Sequence, residues 1–257
     1  MRKPIFVLLL GLLAPAMVSA AGSGVPLDSA DVDLGNKRSL RNGARLFVNY
    51  CMGCHSLAYQ RYNRLGRDLG IPDDLVKENL IFTADFSRKP EGEPVKVGSL
   101  MTIAMPKDKA KAWFGTPPPD LSVIARSRGA DWLYTYLRSF YVDPKRPFGA
   151  NNTVFKDVGM PNVLWELEGL KAARYEKVKG HDGKEVEKFA GFDQIQPGKL
   201  TPVEFDSAVR DLVAFLVYVG EPAKLERYNV GLWVILFLII LFFPAYALKK
   251  EYWKDVH

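Results

Sequence analysis

Both cysteines of this 257-residue chain lie three positions apart, and a histidine follows the second directly, so that residues 51–55 read Cys-Met-Gly-Cys-His. Any fold proposed for the chain has to account for this cluster. A disulfide between the two would close a two-residue loop and constrain almost nothing, and the chain has no third cysteine to offer as a partner. A zinc site needs further ligands, but His181 lies in a Gly- and Lys-rich stretch and His257 follows a long apolar run. A thioredoxin-like dithiol is a second possibility, since Cys-x-x-Cys lowers a thiol pKa and supports exchange. That motif opens a helix after a β-strand, whereas the flanks here read as helical with no strand before them. Cys-x-x-Cys-His is instead the attachment signature of c-type haem. Cys51 and Cys54 would form thioethers to two vinyl groups on one porphyrin edge, and His55 would present its imidazole to the iron. The spacing therefore predicts one covalently bound haem c.

The chain ends place this cluster in a compartment. Residues 1–20 join Arg2 and Lys3 to a short apolar run and finish on Val18-Ser19-Ala20. This is the grammar of a secretory signal, with cleavage expected after Ala20, and the run is short for spanning ~30 Å of hydrocarbon. Residues 230–248 carry no charge, and as a helix they would extend about 28 Å. Trp233 and Tyr246 sit near the two ends of this run, and Lys249, Lys250 and Lys254 follow it. The pattern predicts a transmembrane anchor (229–248) with the tail (249–257) in the cytoplasm. It leaves one exported domain, residues 21–228, long enough for a sizeable core. The formal charge of +6 is misleading for that domain. The signal and the segment from Asn229 hold two and three of the 35 basic residues, and the latter holds two of the 29 acids, which leaves 30 against 27. So near-neutral a domain gives no case for nucleic-acid binding.

A haem iron with one histidine needs a sixth ligand if it is to transfer electrons, and a methionine there raises the potential. His181 reads as part of an exposed turn. Of the methionines, Met52 lies inside the motif and points away, while Met101, Met105 and Met160 remain. Met105 and Met160 each precede a proline, which holds a loop extended, so local chemistry does not separate them.

The stretches GTPPPDLSVIARSR (115–128) and KDVGMPNVLWE (156–166), followed by the C-terminal anchor, resemble the cytochrome c1 family in the same order along the chain. This family is the haem-bearing subunit of the ubiquinol–cytochrome c oxidoreductase (bc1) complex. The resemblance implies a mainly α, class I cytochrome c-like haem domain with long loops, plus one C-terminal transmembrane helix. It implies Met160 as the sixth ligand. It also implies a helix after Pro118–Ser122 whose arginine meets a haem propionate: Arg128 by position, with Arg126 as second choice and Pro118 in the cofactor-binding segment. The implied partners are cytochrome b, the Rieske iron–sulfur protein as electron donor, a soluble cytochrome c as acceptor, and membrane lipid. The implied location is the bacterial inner membrane, with the haem domain on the periplasmic side. Protein side chains would then have no bond-making chemistry to perform. Animal members carry an extra disulfide that this chain lacks the cysteines to form, which favours a bacterial-type domain. The rival readings are a mono-haem subunit of another membrane oxidoreductase and a tethered thiol–disulfide oxidoreductase.

Local patterns add expectations about the elements. A helix is predicted over 37–49, running into the motif, and an aromatic-rich one over 131–141, where Trp132 or Tyr136 could face the haem. Asp120 reads as the N-cap of a helix from Leu121 that ends near Gly129. Thr201-Pro-Val-Glu204 is a capping box, followed by apolar residues from Phe205 to Val219 along one helix face that should cross the first helix. Residues 84–98 and 143–159 read as long loops, and 171–193 as a β excursion or a flap.

Overall fold

The computed structural model describes residues 25–85, 92–179 and 185–255. The expected signal, His181 and His257 therefore lie outside the described residues. Along the chain come α1 (Lys37–Tyr50), β1 (Leu57–Arg61), α2 (Tyr62–Leu69), α3 (Asp73–Leu80), β2 (Ala84–Asp85), β3 (Glu93–Pro94) and β4 (Leu100–Met101). They are followed by α4 (Lys107–Phe114), α5 (Ile124–Arg128), α6 (Ala130–Leu137), β5 (Phe140–Val142), β6 (Ala150–Asn152) and α7 (Trp165–Glu168). The last are β7 (Gly169–Lys179), β8 (Glu185–Pro197), α8 (Pro202–Gly220) and α9 (Lys224–Tyr252). The strands pair antiparallel as β1–β4, β2–β3, β5–β6 and β7–β8.

Two crossed helices organise the core. α1 is capped by the Asn36 side chain, which accepts the Ser39 N–H, and it buries Leu40, Ala44, Phe47 and Val48 as their spacing predicts. α8 opens on the predicted capping box, in which Thr201 accepts the Glu204 N–H and the Glu204 carboxylate accepts the Thr201 N–H. The two helices meet at Gly43. A Cβ there would lie 2.1 Å from the Asp211 carbonyl oxygen and 2.6 Å from Phe215 Cβ, so only glycine permits this approach. One turn further on, Phe47 and Phe215 pack with ring centroids 5.8 Å apart. Asp211 fixes the crossing by accepting from Ser39 Oγ and from Asn42 Nδ2.

Several elements depart from the sequence expectation. The aromatic helix stops at Leu137 rather than continuing to Tyr141, because Ser139 Oγ donates to the Thr135 carbonyl and Phe140–Val142 pairs with Ala150–Asn152. Asp120 caps no helix, since α5 begins only at Ile124. Its Oδ1 accepts the Ser122 N–H, closing a turn, and its Oδ2 accepts the Ala58 N–H on β1. Of the stretch 171–193, undecided from sequence, the described residues 171–179 and 185–193 belong to the β7–β8 ribbon that Gly169–Lys179 and Glu185–Pro197 form. The expected loop 143–159 contains β6 and is tied down by the buried Asn151 and Asn152. The apolar C-terminal run lies within α9, which begins at Lys224, before the expected boundary, includes Pro244 and buries no residue. By length and composition α9 is able to cross a membrane.

Candidate haem site

The motif continues from α1 without a break. Cys51 N–H donates to the Phe47 carbonyl, and both Cys54 and His55 donate backbone N–H to the Cys51 carbonyl at 3.1 and 2.9 Å. This turn places the two cysteines and the histidine at the end of a helix that buries one face. Cys51 is buried, and burial, with the neighbouring Cys54 second, pushes its thiol up to about 12. A thiol held that high is a poor nucleophile, which weighs against the dithiol-exchange reading.

His55 is positioned by a segment distant in sequence. Its Nδ1 lies 2.7 Å from the Pro119 carbonyl oxygen. A carbonyl can only accept, so Nδ1 carries the proton and Nε2 keeps its lone pair for a metal. Burial is the main cause that lowers the His55 pKa, so the neutral, ligating form is favoured. The prolines place that carbonyl because the whole segment is stitched to the motif. Leu121 N–H donates to the Ser56 carbonyl, Ser122 Oγ accepts the Tyr59 N–H, and Asp120 binds Ala58 as described. Ser56 Oγ in turn accepts the Ile103 N–H. Pro118 lies within this belt, one residue before the carbonyl that binds His55. A pair of cysteines, a tautomer-fixed imidazole and its hydrogen-bonded support match the donor set a haem c requires.

The methionine candidates differ in setting. Met52 is buried, its sulfur taking the Tyr62 hydroxyl at 3.5 Å, and Met101 is fully buried in β4 opposite Leu57. Met105 is half-buried before α4 and lies outside the core cluster, whereas Met160 packs against it. The loop bearing Met160 is held by side-chain amides. Asn152 Oδ1 accepts the Val154 and Phe155 N–H groups, Asn151 Oδ1 accepts that of Asp157, and Asn152 Nδ2 donates to the Tyr136 carbonyl. Arg146 also binds this loop, donating to the Asp157 carbonyl and pairing with its carboxylate.

The arginine candidates are both exposed on α5 but point to different neighbours. Arg128 lies over Trp132 at 5.0 Å, Trp132 stacks on Tyr136 at 4.8 Å, and the Tyr136 hydroxyl reaches Met160 Sδ at 3.5 Å. Arg128, Trp132 and Tyr136 are spaced four residues apart, so one face of adjoining helices links the expected propionate partner to the expected sixth ligand. Arg126 instead lies against Gly220 and near Glu221, at the end of α8. Three contributors were not singled out in the sequence: the Pro119 carbonyl, the Asn151–Asn152 pair, and the Tyr136 contact with Met160. Only the adjacent asparagines within a long loop carried a readable signal.

The comparison with known proteins gives the family. The profile of the Cytochrome C1 family matches residues 32–256. The chain belongs to the cytochrome c1 family. It is 49% identical, over the full length of both chains, to cytochrome c1 of Allochromatium vinosum. It is 44% identical, again over both full lengths, to a Nitrosomonas europaea protein named ammonia monooxygenase gamma subunit. A Rhodospirillum rubrum cytochrome c1 is 27% identical, covering 95% of this chain and 96% of its own. Cytochrome c1 is the haem subunit of the bc1 complex and carries electrons in the respiratory chain, with cytochrome b and the Rieske protein as the implied fellow subunits. The family carries one covalent haem c, and Cys51 and Cys54 are the two cysteines present in this chain. A single apolar C-terminal helix fits anchoring in the membrane.

Proposed function

We propose that this chain holds its haem iron between His55 and Met160, and takes electrons from the Rieske protein for delivery to a soluble cytochrome c. The bond from His55 Nδ1 to the Pro119 carbonyl carries this reading, because it leaves a single neutral lone pair on Nε2. Bound haem supplies a one-electron iron couple. The residues of the chain tether, orient and cover it. Arg128, exposed and with no ion-pair partner within 4 Å among the described residues, offers a charge-assisted bond to a propionate; Arg126, directed toward Gly220 and Glu221, is the weaker candidate, and Pro118 belongs to the segment that supports His55. Residues 1–20 act as a cleaved signal, 21–228 as a periplasmic haem domain, 229–248 as the anchor in the bacterial inner membrane and 249–257 as a cytoplasmic tail.

The test uses the full chain in membranes. Met160→Leu should abolish the sulfur-to-iron charge-transfer band and lower the midpoint potential, while Met105→Leu should leave both unchanged. Ligand loss in the Met105 variant instead would overturn the assignment. A second reading, a haem subunit of a different membrane oxidoreductase, draws on the 44% identical relative that bears another enzyme's name. Purification in mild detergent separates the two, since a b-type cytochrome and a Rieske centre should accompany the chain only in the first.

A further inference from the structure

We propose that Tyr136 is a positioning residue for Met160: its hydroxyl donates to the methionine sulfur, fixes which lone pair faces the haem, and raises the reduction potential. The inference rests on reading Met160 as the axial ligand. Tyr136 is 9% exposed, and Met160 Sδ, at 3.5 Å, is the one hydrogen-bond acceptor of its hydroxyl among the described residues. The ring cannot turn away. Trp132 stacks against it at 4.8 Å with planes 10° apart, and Phe140 meets it edge-on at 5.1 Å. The same residue also holds the methionine loop through its main chain, because the Tyr136 carbonyl accepts Asn152 Nδ2 at 2.8 Å and Asn152 Oδ1 organises the next turn. Tyr136 therefore touches Met160 directly at the sulfur, and through Asn152 it also holds the start of the loop that leads to Met160.

A core-filling role would require only the ring. The hydroxyl adds chemistry, since a thioether sulfur has two lone pairs and a phenol bound to one leaves the other for iron. Withdrawing charge from the sulfur makes it a weaker donor, which disfavours the electron-poor oxidised iron more than the reduced form. The donor should thus favour reduction.

Tyr136→Phe in the haem-loaded full chain keeps the ring and its stacking and removes only the donor. The equilibrium constant for reduction should fall roughly two- to fivefold, the scale of part of one neutral hydrogen bond, and the charge-transfer band should persist but shift. Replacing Tyr136 with a fluorotyrosine, a stronger donor, should move the potential the opposite way and covers the case in which the Phe variant fails to fold. Phe140→Leu removes one aromatic contact on the same ring but keeps the donor, and should lower thermal stability while shifting the potential less than Tyr136→Phe does. Parental potential and band in Tyr136→Phe, with the band lost in Met160→Leu, would sink the inference and leave the ligand assignment standing. A band retained in Met160→Leu would remove both. A potential shift in Phe140→Leu equal to that in Tyr136→Phe would replace the hydrogen bond with a packing explanation.

Discussion

Lys171 is an inward-facing cation on an otherwise solvated ribbon. It is 7% exposed, donates to the Glu168 carboxylate and to the Arg138 carbonyl, and lies 4.2 Å from the Phe192 ring centroid. Burial is the leading influence on both partners, lowering the Lys171 pKa and raising that of Glu168, so each charge survives through the other. Lys171→Met should cost about 3–5 kcal/mol by leaving a buried carboxylate without its cation, measurable as a fall in thermal midpoint. Adding Glu168→Gln to it should restore part of the loss. At this scale the haem cysteines and His55 were legible because their side chains carry the chemistry. The Pro119 carbonyl was not, because a backbone acceptor leaves no mark on residue type. Tyr136 was named as a possible haem neighbour, but its contact with Met160 depends on a loop fold that only Asn151 and Asn152 hint at.

Helix boundaries followed local rules where those rules were strong and failed where tertiary partners competed. α1 and α8 match their periodicity to within a residue, since each has a side-chain cap and a continuous apolar face. The aromatic helix was overrun because Phe140 and Tyr141 have the β propensity to pair with Asn151 and Asn152 once α6 tightens. Asp120 was misread because a strand donor 62 residues earlier claims its second oxygen. The crossing of α1 and α8 makes the clearest demand on a single position. Gly43→Ala would drive a methyl into the Asp211 carbonyl, separate the helices and cost roughly 1–3 kcal/mol. Because α1 runs directly into the motif, covalently retained haem should fall with thermal stability, as read by pyridine haemochrome spectra.

The whole molecule divides at Gly220 into a packed domain and an unpacked helix. α9 buries no residue, so truncation before Lys224 should release a haem domain into the soluble fraction with its absorption spectrum unchanged. Loss of haem in that truncation would mean that α9 supports the fold. Fold class and anchor were legible from sequence because each rests on a long, redundant pattern. The ribbon was not, because strands of mixed polarity with exposed faces give little periodic signal. Only residues 221–223 separate α8 from α9, and these are themselves ordered: Lys224 N–H binds the Glu221 carbonyl, and Arg227 pairs with the Glu221 carboxylate. So short a tether leaves the haem domain little solid angle to sweep above the bilayer. A cytochrome mounted this way behaves as a fixed relay post, and any gap too wide for an electron to tunnel has to be closed by the diffusion of its partners.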